Sequence, residues 1–217
     1  MKKYTHLVFD IDGTLIDSAP VNMQSLQETL KDLRGEVIPL EDLVFSFGIP
    51  GVATMEKLGF SDPMAATQEW IRHYDVYAEK LGMPLFQGIR EVIAELQKKG
   101  IHLGVITSKL QEEYDAHFTR NGMRNYFETV ITSSDTEKGK PAPDPMLAYL
   151  EKTGAAREEV LYFGDTCYDM ECARSAGVDQ ALVLWGCLRP EGIESTYQVE
   201  KVEDILSFAD FDAVKAE

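Results

Sequence analysis

The 217-residue chain has little that would tie it to a membrane, a disulfide framework or a nucleic acid. No stretch approaches the roughly 20 consecutive apolar residues that a membrane span requires, and the opening Met1-Lys2-Lys3 is not followed by the long apolar segment of a signal peptide. A soluble, cytoplasmic protein with no membrane partner is expected. The three cysteines, Cys167, Cys172 and Cys187, are an odd number without metal-ligand spacing. That excludes a paired framework and a zinc site, and leaves free thiols. Positive charge is scarce: 21 Lys and Arg against 37 Asp and Glu give a formal net charge of -16. Such a surface repels phosphate backbones, which argues against a nucleic-acid partner but not against a small anionic substrate. Internal repeats and low-complexity segments are lacking too.

What the chain does have is 44% hydrophobic residues, enough for one good core and a small second domain. The apolar run Leu7-Val8-Phe9 breaks into Asp10-Ile11-Asp12-Gly13-Thr14, as a buried strand does on entering a polar loop. The same grammar returns later. Ile89, Val92, Ile93 and Leu96 lie at helical spacing, Gly100 stops that helix, and 101–106 reads as a strand. Thr129 to Thr132, Val160 to Phe163 and Ala181 to Leu184 are further strands, each separated from the next by a segment of helical character. This alternation predicts an α/β fold: a Rossmann-like parallel sheet with helices on both faces and ligands beyond the carboxyl ends of the strands. Residues 17–83 interrupt it with helical stretches around 21–33 and 62–81 and no buried strand. They read as an inserted helical domain between core segments 1–16 and 84–217, hinged after Leu15 and at Gly82-Met83-Pro84.

Asp10 and Asp12 at the mouth of the first strand would need a cation, and a hard ion such as magnesium suits carboxylate and carbonyl oxygens. A solvated loop start is the bland alternative. A second strand, Leu161-Tyr162-Phe163, delivers Gly164-Asp165-Thr166 in the same way, with Asp169 four residues on. With a helix starting near Thr166, Asp169 falls in its first turn, where capping alone would account for it. Capping does not account for two strands each presenting an aspartate just past a buried segment. Thr107 and Ser108, after Ile106, offer a hydroxyl and N–H groups suited to phosphate, and suited equally to a helix cap. Lys140, in Lys138-Gly139-Lys140-Pro141-Ala142-Pro143, is either a surface lysine or an ammonium able to pair a carboxylate and a phosphoryl oxygen at once.

In chain order, Phe9-Asp10-Ile11-Asp12-Gly13-Thr14-Leu15, Ile106-Thr107-Ser108-Lys109, Gly139-Lys140-Pro141 through Pro145, and Gly164-Asp165-Thr166 through Asp169 resemble the haloacid dehalogenase superfamily. The helical insert resembles the cap domain of its phosphoglycolate phosphatase-like members. The resemblance implies a sheet whose first strand is central, between those carrying Thr107 and Asp165. It implies Asp10 as nucleophile, Asp12 as general acid and base, Thr107 and Ser108 as phosphate ligands, and Lys140 as the residue orienting nucleophile and phosphate. Magnesium would be held by Asp10, the Asp12 carbonyl and Asp165, with Asp169 supporting. The implied activity is hydrolysis of a small phosphorylated metabolite by a monomer or homodimer, with phosphoglycolate as one candidate substrate. Carbon–halogen cleavage needs no second aspartate, so Asp12 argues for phosphoryl transfer. Sugar phosphomutases of this build carry a cap histidine and a basic residue where Asn22 and Gly51 stand here. A phosphonate-cleaving relative would require a cap lysine, for which Lys57 is not persuasive. The cap loop Phe47-Gly48-Ile49-Pro50-Gly51 resembles that of phosphoglycolate phosphatases and related pyrophosphatases but offers no cation, leaving Arg72 and Lys57 as possible sources. A pyrophosphatase, a phosphomutase and a non-catalytic phosphate-binding module are the alternatives.

Overall fold

The computed structural model describes residues 2–211. Six parallel strands form one sheet: β1 (His6–Phe9), β2 (His102–Ile106), β3 (Thr129–Ile131), β4 (Val160–Gly164), β5 (Asp179–Val183) and β6 (Tyr197–Val199). The spatial order is β3-β2-β1-β4-β5-β6. β1 pairs His6 with His102 on one side and with Val160 on the other, so its carboxyl end lies between the ends of β2 and β4. The chain leaves β1 toward β2 and β3 and returns to β4 on the opposite flank. That reversal makes the crevice beyond β1 the place where a doubly wound sheet binds ligands.

Strands buried on both sides read as continuous apolar runs, which is why β1 and β4 are legible in sequence. Val8, Ile106 and Tyr162 share one face with Met146 and Tyr149 of the helix Asp144–Thr153 and with Cys172 and Ala173 of the helix Cys167–Ser175. Phe9 and Phe163 stack at 4.9 Å on the other face, where Phe208 meets Phe163 edge-on. The helix Ile89–Lys98 buries Ile89, Val92, Ile93 and Leu96, the stripe its spacing predicts. Gly104 lets Tyr149 lie against β2, since a Cβ there would sit 2.3 Å from the tyrosine ring.

By compactness the chain divides into residues 1–16 with 85–217, and residues 17–84. The second unit is helical. Ala19–Arg34, Gly51–Lys57 and Pro63–Leu81 enclose a core of Leu26, Leu30, Leu43, Met55, Ala66 and Trp70. The Trp70 indole donates to Ser25 Oγ at 2.9 Å, and Ser46 Oγ donates to Asn22 Oδ1 at 2.9 Å. Gly51 opens its helix against Thr67, where a Cβ would fall 2.7 Å from a methyl group. Arg72 is exposed and pairs with Glu69 one turn earlier.

Candidate active site

Asp10 directly follows β1, and its backbone N–H donates to the Phe163 carbonyl at 2.9 Å, so the sheet ladder fixes where its side chain starts. Asp165 follows β4 by the same rule. Thr107 follows β2, with its N–H bonded to the Ile131 carbonyl at 3.0 Å. Asp169 is the third residue of the helix Cys167–Ser175 and closes a capping box: the Thr166 N–H and hydroxyl donate to Asp169 Oδ2, and the Asp169 N–H donates to Thr166 Oγ1 at 3.4 Å. Gly164 makes room for that carboxylate, since a Cβ there would lie 2.3 Å from Asp169 Cβ.

These placements gather Asp10, Asp165, Asp169 and Lys140, all nearly inaccessible to solvent. Lys140 Nζ lies 3.1 Å from Asp10 Oδ1, 2.6 Å from Asp169 Oδ1 and 3.3 Å from the Tyr162 hydroxyl. Three acceptors thus match the three protons of the ammonium. Tyr162 Oη has both the Ile106 carbonyl and Asp169 Oδ1 within 3.0 Å as takers for its own proton. It thereby connects the lysine to the end of the strand preceding Thr107. Asp165 Oδ1 accepts from Thr14 Oγ1 at 3.1 Å, whereas Asp165 Oδ2 is buried with no hydrogen-bond partner. The Ser108 hydroxyl is likewise buried and unpartnered.

The electrostatics follow from crowding charge in a dry site. Burial, with Asp169 and Asp12 adding to it, pushes the Asp10 carboxyl up to about 7 despite the opposing Lys140 ammonium. Burial and the neighbouring Asp169 and Asp10 hold Asp165 well above the usual carboxylate range. Burial alone would lower Lys140, but Asp10 and Asp169 keep it above the ordinary ammonium range. One buried cation therefore faces three buried carboxyl groups, more than it can neutralise in their ionised forms. An oxygen from each of Asp10, Asp165 and Asp169 lies within 4.8 Å of the others. An all-oxygen donor set with an orphaned carboxylate oxygen fits a hard divalent cation.

Asp12 stands apart from that cluster. Its carboxylate is partly exposed and pairs with Lys109 Nζ at 2.9 Å. The turn from Asp12 to Ile16 is closed by the N–H groups of Thr14, Leu15 and Ile16 on the Ile11 carbonyl. It is also held from across the sheet: Trp185 Nε1 donates to the Thr14 carbonyl at 3.0 Å, and Gly186 packs so closely that a Cβ would lie 1.7 Å from the Gly13 carbonyl oxygen. Sequence reading missed Tyr162, Trp185, Gly186 and Lys109. Tyr162 looked like one more core aromatic, and the approach of Gly186 to Gly13 leaves no local signal. Lys109, sitting beside Thr107-Ser108, was the one within reach.

Residues 7–183 match the family model for haloacid dehalogenase-like hydrolases. The chain belongs to that family. It is therefore an enzyme with a parallel α/β core of that type. A protein of Caldanaerobacter subterraneus subsp. tengcongensis assigned as pyrophosphatase PpaX is 32% identical over 203 residues, covering 94% of this chain and 92% of the relative. Pyrophosphatase PpaX of Bacillus velezensis is 29% identical, with 94% and 96% covered. Among solved structures, a protein assigned as a phosphoglycolate phosphatase from Lactobacillus plantarum superposes with a TM-score of 0.83 at 28% identity, covering 95% of this chain and 99% of that one.

Proposed function

We propose that the protein is a magnesium-dependent phosphatase that hydrolyses small phosphate monoesters, or the related anhydride pyrophosphate, through a phosphoryl group carried transiently on Asp10. The observation that carries this reading is the Lys140 ammonium bridging Asp10 and Asp169 beside the unpartnered oxygen of Asp165. Structural ion pairs are normally balanced and satisfied; this cluster is neither. Asp10, the Asp12 carbonyl and Asp165 would hold magnesium, with Asp169 supporting. When bound, the ion offsets the negative charge of carboxylate and phosphate alike.

The chain's own groups supply the rest. Lys140 holds the Asp10 carboxylate in place and presents positive charge to the phosphoryl oxygens. Asp10 attacks phosphorus in line as the bond to the leaving oxygen breaks, and Asp12 gives that oxygen its proton. Asp12 then takes a proton from the water that attacks the phosphoaspartate, and Asp10 leaves. Thr107 and Ser108 bind phosphoryl oxygens, a role that suits the buried, unpartnered Ser108 hydroxyl. Asn22, tied to Ser46 where phosphomutases carry histidine, favours hydrolysis over mutase chemistry. The names borne by relatives make pyrophosphate and phosphoglycolate the first substrates to try. Hydrolysis of a chromogenic aryl phosphate and of these two compounds, with magnesium and with chelator, tests the proposal. Magnesium-dependent turnover is expected. Tight phosphate binding with no turnover of any of them would make the protein a binding module instead.

A further inference from the structure

The site contains two lysines, and they differ in burial and in partners. Lys140 is buried, with its three ammonium protons matched by Asp10, Asp169 and Tyr162. Lys109 reaches the surface. Its backbone is pinned at both ends, the N–H donating to Thr107 Oγ1 at 3.2 Å and the carbonyl accepting from Ser133 N–H at 2.9 Å. Its side chain keeps 12% of its surface exposed, and the ammonium lies 2.9 Å from Asp12 Oδ2, a carboxylate 22% exposed. A partly open ion pair beside a buried, committed one has contact with both solvent and site.

We infer that Lys109 is a specificity-determining residue that selects substrates whose leaving group itself carries negative charge, such as a carboxylate or a second phosphate. The inference rests on Asp12 being the acid that protonates the leaving oxygen. An acid in that role must lie against the leaving oxygen, so the ammonium paired with it lies on the leaving-group side of phosphorus. A carboxylate one carbon from that oxygen, or a phosphate sharing it, comes within the reach of a lysine. A cation is thus available in the α/β core, without any from the loop Phe47 to Gly51.

The test compares phosphoglycolate with ethyl phosphate in the parent enzyme, Lys109→Met and Lys109→Arg. Both substrates release an alkoxide that needs the Asp12 proton, so any effect of Lys109 on the acid itself cancels in the ratio of their kcat/KM values. That ratio is expected to fall about tenfold or more in Lys109→Met, the scale of one lost charge-assisted hydrogen bond, and to recover in Lys109→Arg. An unchanged ratio would overturn the proposal. A second measurement needs no turnover: calorimetric binding of phosphonoacetate relative to methylphosphonate at fixed free magnesium. The preference for phosphonoacetate should disappear in Lys109→Met, and a preference that persists would equally overturn the assignment. Failure of the parent enzyme to hydrolyse any phosphate ester would count against the phosphatase reading, while the binding ratio would still decide the role of Lys109.

Discussion

Asp10 and Asp165 are carboxylates kept where carboxylates are costly, and that cost has a measurable pH signature. Asp10 is pushed up to about 7 in the folded chain, from an ordinary value of 3.8. Between those values the folded state holds a proton that the unfolded state has released. This group therefore contributes stability at low pH that is lost as pH rises through about 7. A divalent cation binds the ionised form and reverses the trend. The increase in melting temperature given by magnesium over chelator should accordingly be small at mildly acidic pH and grow as the solution is made neutral and then mildly alkaline. An increment independent of pH would mean that the ion binds elsewhere. Tyr162 makes a second residue-scale prediction. Tyr162→Phe leaves the ring packing but removes the hydroxyl between Lys140, Asp169 and Ile106, at a cost of about 1–3 kcal/mol in folding stability for buried groups left short of a partner. Activity should fall about tenfold with KM little changed, since the hydroxyl is buried and its partners are Lys140, Asp169 and the Ile106 carbonyl, so that it is expected to act through Lys140. A rise in KM with unchanged kcat would show instead that Tyr162 shapes binding.

Strand ends and turns decide which parts of this architecture can be read from sequence. β1, β2 and β4 were legible because a buried parallel strand is an unbroken apolar run, and the polar residue that ends it is the one delivered to the crevice. Asp10, Thr107 and Asp165 are all of this kind. Asp169 was legible as a first-turn residue because a capping box is a local pattern. β6 was not, since Tyr197-Gln198-Val199 is short, lies at the sheet edge and alternates polar with apolar. Nor was the strap from Trp185 and Gly186 to the Gly13-Thr14 turn, which joins segments about 170 residues apart by a backbone approach that only glycine permits. That strap can be broken alone. Gly186→Ala places a methyl group where the Gly13 carbonyl stands and should displace the turn between Asp12 and Thr14, lowering kcat by at least about tenfold with circular dichroism unchanged. Full activity in this variant would show that the turn holds its geometry without the strap.

At the scale of the whole molecule, a chain of net charge -16 is asked to take up an anion. Long-range attraction is therefore not available, and under the proposed function the favourable field would be local to Lys140, Lys109 and the proposed magnesium ion. Screening separates the two: the Debye length falls from about 30 Å at 0.01 M salt to about 8 Å at 0.15 M. Distant surface carboxylates are masked across that range before a buried lysine is. With free magnesium saturating and a salt that does not inhibit, kcat/KM should stay level or rise over this interval, and a steep fall would reveal a positive funnel extending beyond the site. The covalent role proposed for Asp10 is open to a more direct measurement, the stereochemical course at phosphorus, followed with an isotopically chiral phosphorothioate ester hydrolysed in isotopically labelled water. Two successive in-line displacements, first by Asp10 and then by water, predict overall retention of configuration. Inversion would mean that water attacks the substrate directly, and would contradict the phosphoaspartate on which the account rests.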